Sequence, residues 1–188
     1  MKILICSHNK HKISEIKQIL NQTLYEIYSL LDLDDYEDVI EDSDTFMGNA
    51  YIKAHHYGMK HKMIALGDDS GLEVYSLDMK PGVHSKRYAG SDHANKQKLL
   101  LALKDVKDRR AQFRTVLALY NPESQETHYF EGILKGEITY EERGTNGFGY
   151  DALFYVEEER KTLAEMDAHE KNKISHRGLA LEKLKEFL

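Results

Sequence analysis

The sequence predicts an α/β protein with a mixed, twisted β-sheet flanked by helices. Strand-like and helix-like segments alternate early in the chain, strand-like segments cluster later, and an amphipathic segment closes it.

Each element follows from its own pattern. "KILICS" (2–7) is a short apolar run ending in polar residues, and Ile13, Ile16 and Leu20 follow at spacings that share one helical face. "YEIYSL" (25–30) reads as a second strand. Residues 44–60 read as a helix capped by Thr45, with Ala50, Lys53, Ala54 and Tyr57 along it. "MIAL" (63–66) is apolar throughout, as in a buried strand, and "LEVYSL" (72–77) alternates like a half-exposed one, with Asp68 to Gly71 lying between them. Ser91 can cap a helix whose Leu99, Leu100 and Leu103 share a face, and 112–120 is a strand. The aromatic and β-branched stretch 128–142, interrupted by Gly132 and Gly136, predicts paired strands with a bulge or turn. "DALFYV" (151–156) is a further strand, and the last helix carries Leu181, Leu184 and Leu188.

Composition bounds the function. A chain of 188 residues is long enough for one domain, 1–188, that buries about 70% of the surface its unfolded form exposes. An apolar content of 41% with 31% charged residues is that of a soluble globular protein, and no apolar run approaches the roughly 20 residues of a membrane span. The N-terminal apolar run is too short for a signal peptide, so a cytoplasmic location is expected. A net charge of −6 argues against nucleic acid as a partner, which requires a basic face. Cys6, the single cysteine, excludes an internal disulfide and reads as a small core hydrophobe.

Four polar clusters fall among these elements. "SHNKHK" (7–12) occupies the first strand-to-helix turn, where a helix N-terminus offers free N–H groups to a phosphate; a polar turn is also ordinary in any α/β fold. Asp68 and Asp69 end a buried strand, and adjacent carboxylates resist joint ionisation unless a cation sits beside them. They read either as a Mg2+ site, with Glu41 and Asp42 as further ligands, or as a solvated turn capped by Ser70. In "GTNGFGYD" (144–151), glycines flank Phe148, which is either a stacking surface for a base or a core residue of a hairpin. "EKNKISHRG" (170–178) brings Lys171, Ser175, His176 and Arg177 together at the opening of the last helix, with Asp167 and Glu170 as a capping box. The histidines do not form a metal pattern: His55 and His56 point to different sides of a helix and no H-E-x-x-H occurs.

Jointly the chain resembles the inosine triphosphate pyrophosphatase family, through Ser7-His8-Asn9 with Lys12, "TFMGNAYIKA", "DDSGLEV", "PGVHSKRYAG", "GFGYD" and "EKNKISHRG", in one order from residue 7 to residue 178. The resemblance implies that family's fold, with a substrate cleft at the strand ends, and a Mg2+-dependent homodimeric enzyme. Its substrates would be the purine nucleoside triphosphates ITP, dITP and XTP, cleaved to the monophosphate and pyrophosphate. It assigns Asp69 as metal ligand and general base, Asp68 as its companion, and Glu41 as further metal support. Ser7, His8, Asn9, Lys10, His11 and Lys12, with Lys53, would grip the triphosphate beside Ser70, and Arg87 would face it. Phe148, Gly149 and Tyr150 would receive the base, Asp151 and Lys171 would border it, and Ser175, His176 and Arg177 would read its edge.

The chain departs from that pattern at Gly48, where the family commonly has a glutamate suited to a capping box and to the metal shell. Gly48 raises the alternative of a nucleotide-binding module with weak or no turnover, and a pyrophosphatase of other base specificity on the same scaffold is a second alternative.

Overall fold

The structure, a computed structural model, describes residues 2–21 and 24–188. Its elements are β1 (Lys2–Ile5), α1 (Lys10–Leu20), β2 (Glu26–Ser29), α2 (Phe46–His61), β3 (Ile64–Val74), β4 (Lys80–Pro81), α3 (Asp92–Ala102), β5 (Arg110–Asn121), β6 (Glu126–Ile138), β7 (Phe154–Val156), β8 (Lys161–Thr162), α4 (Ala168–Ile174) and α5 (His176–Phe187). The strands form a mixed sheet in the order β2-β1-β3-β5-β6-β7-β8, with β4 paired to β3. β1 runs parallel to β2 and β3, whereas β3–β4, β6–β7 and β7–β8 are antiparallel. The chain makes two compact units, Met1–Asp69 with Thr115–Gly132 and Arg177–Leu188, and Ser70–Arg114 with Ile133–His176.

In the first unit, the alternation of side chains along β1 sends Ile3 and Ile5 one way and Leu4 and Cys6 the other. Ile3 and Ile5 pack with Leu66, Leu117 and Leu119 against Ile13, Ile16 and Leu20 of α1 and Ala180, Leu181 and Leu184 of α5. Leu4 and Cys6 pack with Leu30, Ala65 and Tyr57 of α2. Both faces of β1 are thus covered, which is why its sequence is continuously apolar. Thr45 caps α2 by accepting the Gly48 N–H at 3.0 Å. Gly67 is the point of closest approach between α2 and β3: a Cβ there would be driven into the Ala50 carbonyl. In the second unit Leu72, Val74, Phe113, Ile138, Phe154 and Val156 enclose Leu99 and Leu103, which share the buried side of the α3 region.

Three expectations are corrected. β3 is a single strand of 11 residues that runs through Asp68 and Asp69, with no turn, and takes in Leu72–Val74 of the strand expected over 72–77, whereas Tyr75–Leu77 form a 3-10 turn. β6 is likewise one strand; Gly136 marks the place where the Tyr155 carbonyl and Phe154 ring of β7 leave no room for a side chain, so it serves strand packing and makes no turn. The cluster 170–178 does not open one helix: α4 ends at Ile174, the extended Ser175 breaks the chain, and α5 begins at His176.

Gly67→Ala should destabilise the protein by about 1–3 kcal/mol in urea unfolding, because the added methyl has only backbone to displace. An unfolding midpoint equal to wild type would contradict the close packing of α2 on β3.

Candidate active site

In the first unit the β1–α1 turn is built by its own side chains. Asn9 caps α1, its Oδ1 accepting the N–H groups of His11 at 2.9 Å and Lys12 at 3.3 Å, and Ser7 Oγ accepts the Asn9 N–H at 3.1 Å. His8 is held by the Asp35 carbonyl at 2.8 Å and by Asp38 at 3.2 Å. Lys10 and His11 are exposed on the first turn of α1. Lys12 points the other way, and its ammonium meets Asp68 on β3.

The two aspartates have opposite environments. The Asp68 side chain is fully buried, with Oδ1 on Lys12 and Oδ2 on Arg177 Nε at 2.7 Å; Arg177 also engages Glu15 at 2.5 Å. Burial alone would raise the Asp68 pKa, but the Arg177 guanidinium and Lys12 ammonium overcome it and hold the carboxyl well below the usual range. Burial in turn pulls the Lys12 pKa down despite Asp68. Asp69 lacks so close a cation: Lys53 Nζ stands 3.7 Å from Oδ1 and is drawn to Glu41 Oε2 at 2.5 Å. Burial therefore raises the Asp69 pKa against the opposing charges of Lys53 and Lys12.

Among the described residues no group of three or more His, Cys, Asp or Glu side chains is placed to hold a metal ion. Asp69 and Glu41 both face the Lys53 ammonium. Mg2+ typically takes one or two protein carboxylates and completes its shell with water and phosphate oxygens, a demand that Asp69 with Glu41 can meet. Asp68 is less suited, since each of its oxygens already meets a cation.

Gly48 is accommodated by Ser43. A Cβ at position 48 would collide with the Ser43 side chain, whose Oγ accepts the Thr45 N–H at 3.2 Å. That is the bond which the glutamate of a capping box would supply, so the cap is satisfied without it.

The second unit gathers the aromatic and basic positions. Asp151 Oδ2 accepts from Lys171 Nζ at 2.7 Å and from the Phe148 N–H at 2.9 Å, and the Lys171 ammonium lies 4.7 Å from the centre of the Phe148 ring. Gly147, at φ 74°, leaves the space that Asp151 fills. The Gly149 N–H donates to Asp92 at 3.0 Å, and Tyr150 donates to the Ser85 carbonyl at 2.9 Å. His176 stacks on Phe113 at 4.6 Å, Ser175 is buried, Ser70 is partly exposed on β3, and Arg87 is exposed at the end of a 3-10 turn.

The structure thus brings Lys12, Asp68 and Arg177 into contact in one unit and Phe148, Asp151 and Lys171 in the other. Arg177, expected at a base edge, has its guanidinium on Asp68 and Glu15. Two residues escaped the sequence reading. Glu15 lies on α1 as an ordinary surface-type residue, and Asn49 donates to Asp69 Oδ2 at 3.2 Å from α2. The spacing of Asn49, Lys53 and Tyr57 places all three on one helical face, and a polar residue on that buried face was the available signal.

Residues 3–187 match the model of the Ham1 family. A dITP/XTP pyrophosphatase of Flavobacterium johnsoniae is 45% identical over 191 residues, covering 100% of this chain and 98% of the relative. A HAM1 protein from Coxiella burnetii is similar in structure, with a TM-score of 0.92 at 41% identity, covering 100% of this chain and 98% of that one. The Staphylococcus aureus Ham1 protein gives 0.89 at 40% identity, over 100% and 97% of the two chains.

The aspartates should separate in metal-free stability measurements. Asp68→Asn should cost about 3–5 kcal/mol by leaving buried cations short of a partner. Because the folded Asp68 pKa lies below the unfolded one, its contribution is present above about pH 4 and is lost as pH falls through the folded value. Asp69 has the opposite sign: its folded pKa is raised, so stability is lost as pH rises through that value. Asp69→Asn should therefore raise the neutral-pH melting temperature and change little at about pH 3, where both states are protonated. A loss of stability at neutral pH on Asp69→Asn would contradict this assignment.

Proposed function

The chain belongs to the Ham1 family, and from that premise we propose that it hydrolyses non-canonical purine nucleoside triphosphates, XTP, ITP and dITP, to the monophosphate and pyrophosphate. The observation that carries the reading is the divided acidic couple. One carboxylate is fixed by two cations, and its neighbour is buried with a raised pKa and an incompletely compensated charge. In this proposal residues 1–188 act as one catalytic chain, working as a homodimer in the cytoplasm with no nucleic-acid partner. Among the described residues no helix is long and apolar enough to cross a membrane.

Mg2+ held by Asp69 and Glu41 would neutralise negative charge on the polyphosphate. Asp69 Oδ1 orients the attacking water and takes its proton. Lys12, kept in place by Asp68, presents its remaining N–H donors to phosphate oxygens, and Lys53 is the second cation at that end. The capped N-terminus of α1, with Ser7, Asn9, Lys10 and His11, offers further donors. Such groups stabilise the charge of the departing pyrophosphate without a covalent intermediate.

In the second unit Phe148 supplies a ring face for the base, set by the Asp151–Lys171 pair. Hypoxanthine and xanthine carry a 6-oxo acceptor where adenine carries a 6-amino donor. Lys171 can only donate, so it suits the first pair and opposes adenine. Buried mismatches of this kind reach roughly 10⁴-fold discrimination. We assign Arg177 to the triphosphate end, where it keeps Asp68 ionised and Lys12 positioned.

Pyrophosphate release from ITP, XTP, ATP and GTP, with and without Mg2+, tests the function. Mg2+-dependent release from ITP and XTP that greatly exceeds release from ATP is expected, and Asp69→Asn should lower kcat by about 10²–10⁴-fold. Nucleotide binding without pyrophosphate release would instead make the chain a binding module. Arg177→Ala should depress turnover of ITP and ATP by the same factor. A fall confined to ITP would return Arg177 to the base edge.

A further inference from the structure

Asn49 is 1% exposed in the first turns of α2, and its amide makes two directed bonds. Oδ1 accepts the Ser43 backbone N–H at 3.0 Å, and Nδ2 donates to Asp69 Oδ2 at 3.2 Å. The orientation of that amide is forced. A backbone N–H can only donate, so the carbonyl end must face Ser43 and the NH₂ end must face the carboxylate. Asp69 is thereby made asymmetric: Oδ2 is occupied by Asn49, and Oδ1 is left toward Lys53 at 3.7 Å.

We infer that Asn49 is a positioning residue for Asp69, holding Oδ2 so that Oδ1 alone is presented for catalysis while its carbonyl anchors the segment that carries Glu41. This rests on the reading of Asp69 as the catalytic carboxylate. Ser43 is two residues from Glu41, so one buried amide ties the strand that carries Asp69 to the loop that carries Glu41. Ser43 Oγ in turn accepts the Thr45 N–H at the helix cap, which links the same loop to the start of α2. Removing the amide frees the Asp69 carboxylate to rotate and releases the Glu41 loop. Substrate grip through Lys12 and the α1 turn is untouched, so turnover should suffer more than binding.

Wild type and Asp69→Asn are measured first with ITP and Mg2+, since loss of pyrophosphate release in the latter establishes the Asp69 reading independently of Asn49. Asn49→Ala should then lower kcat about 10–100-fold, with KM for ITP within about threefold of wild type. Asn49→Ser, which keeps a polar side chain in the buried position, gives the same readout should the alanine variant fail to fold. Calorimetric Mn2+ binding without nucleotide should weaken by about 10-fold or more on Asn49 substitution in the wild-type background. The loss should be smaller on the same substitution in an Asp69→Asn background, where only the anchoring of the Glu41 segment is removed. An unchanged kcat, a rise in KM alone, or an equal loss of Mn2+ affinity in both backgrounds would overturn the proposal, since a merely structural residue acts regardless of Asp69.

Discussion

The arrangement depends on the ion-pair chain that runs from Lys12 through Asp68 to Arg177 and on to Glu15. Buried ions carry desolvation penalties of several kcal/mol each, and such a chain persists only when every member is paired. Here the pairing is complete at Asp68 and incomplete at Asp69, the next residue along the same strand. The strand makes the difference, because successive side chains point to opposite faces. Asp68 is directed to the α1 and α5 side with its cations, and Asp69 to the α2 side with Asn49, Lys53 and Glu41. One backbone thus yields an aspartate that organises cations and an aspartate whose charge is a standing cost.

That cost is where fold and function meet. Gly67 lets α2 press onto β3, which buries Asp69 beside Asn49 and Lys53. Burial raises its pKa while lowering the stability of the metal-free protein. Ser43 keeps the start of α2 capped where Gly48 offers no side chain. The helix that carries Lys53 and Asn49 is therefore anchored at its first turn by a neighbouring loop residue.

What the sequence made legible was local. The first strand and helix, the Thr45 and Ser91 caps and the Asp167–Glu170 box are patterns set within a few residues, and each is present. The misread segments were those where tertiary contacts outweigh local chemistry. Asp68 to Gly71 looks like a turn because its residues are polar and small, yet it continues β3 because Lys12 and Arg177, the latter 109 residues away, neutralise the charge that would otherwise keep it in water. The ion pairs of Arg177 with Asp68 and Glu15 are of the same kind: nothing near it in sequence announces an acidic partner. Asn49 hid inside a helical pattern as a polar residue, and only its register with Lys53 and Tyr57 marks it as buried.

Carbon-detected NMR titration of the Asp68 and Asp69 carboxyl groups in the metal-free protein tests the division between them most directly. The account predicts that Asp68 stays ionised to well below the ordinary aspartate pKa of about 3.9, while Asp69 takes up its proton above that value and shifts on addition of Mg2+. Two carboxyl groups that titrate together near the ordinary value, or in the reverse order, would contradict it.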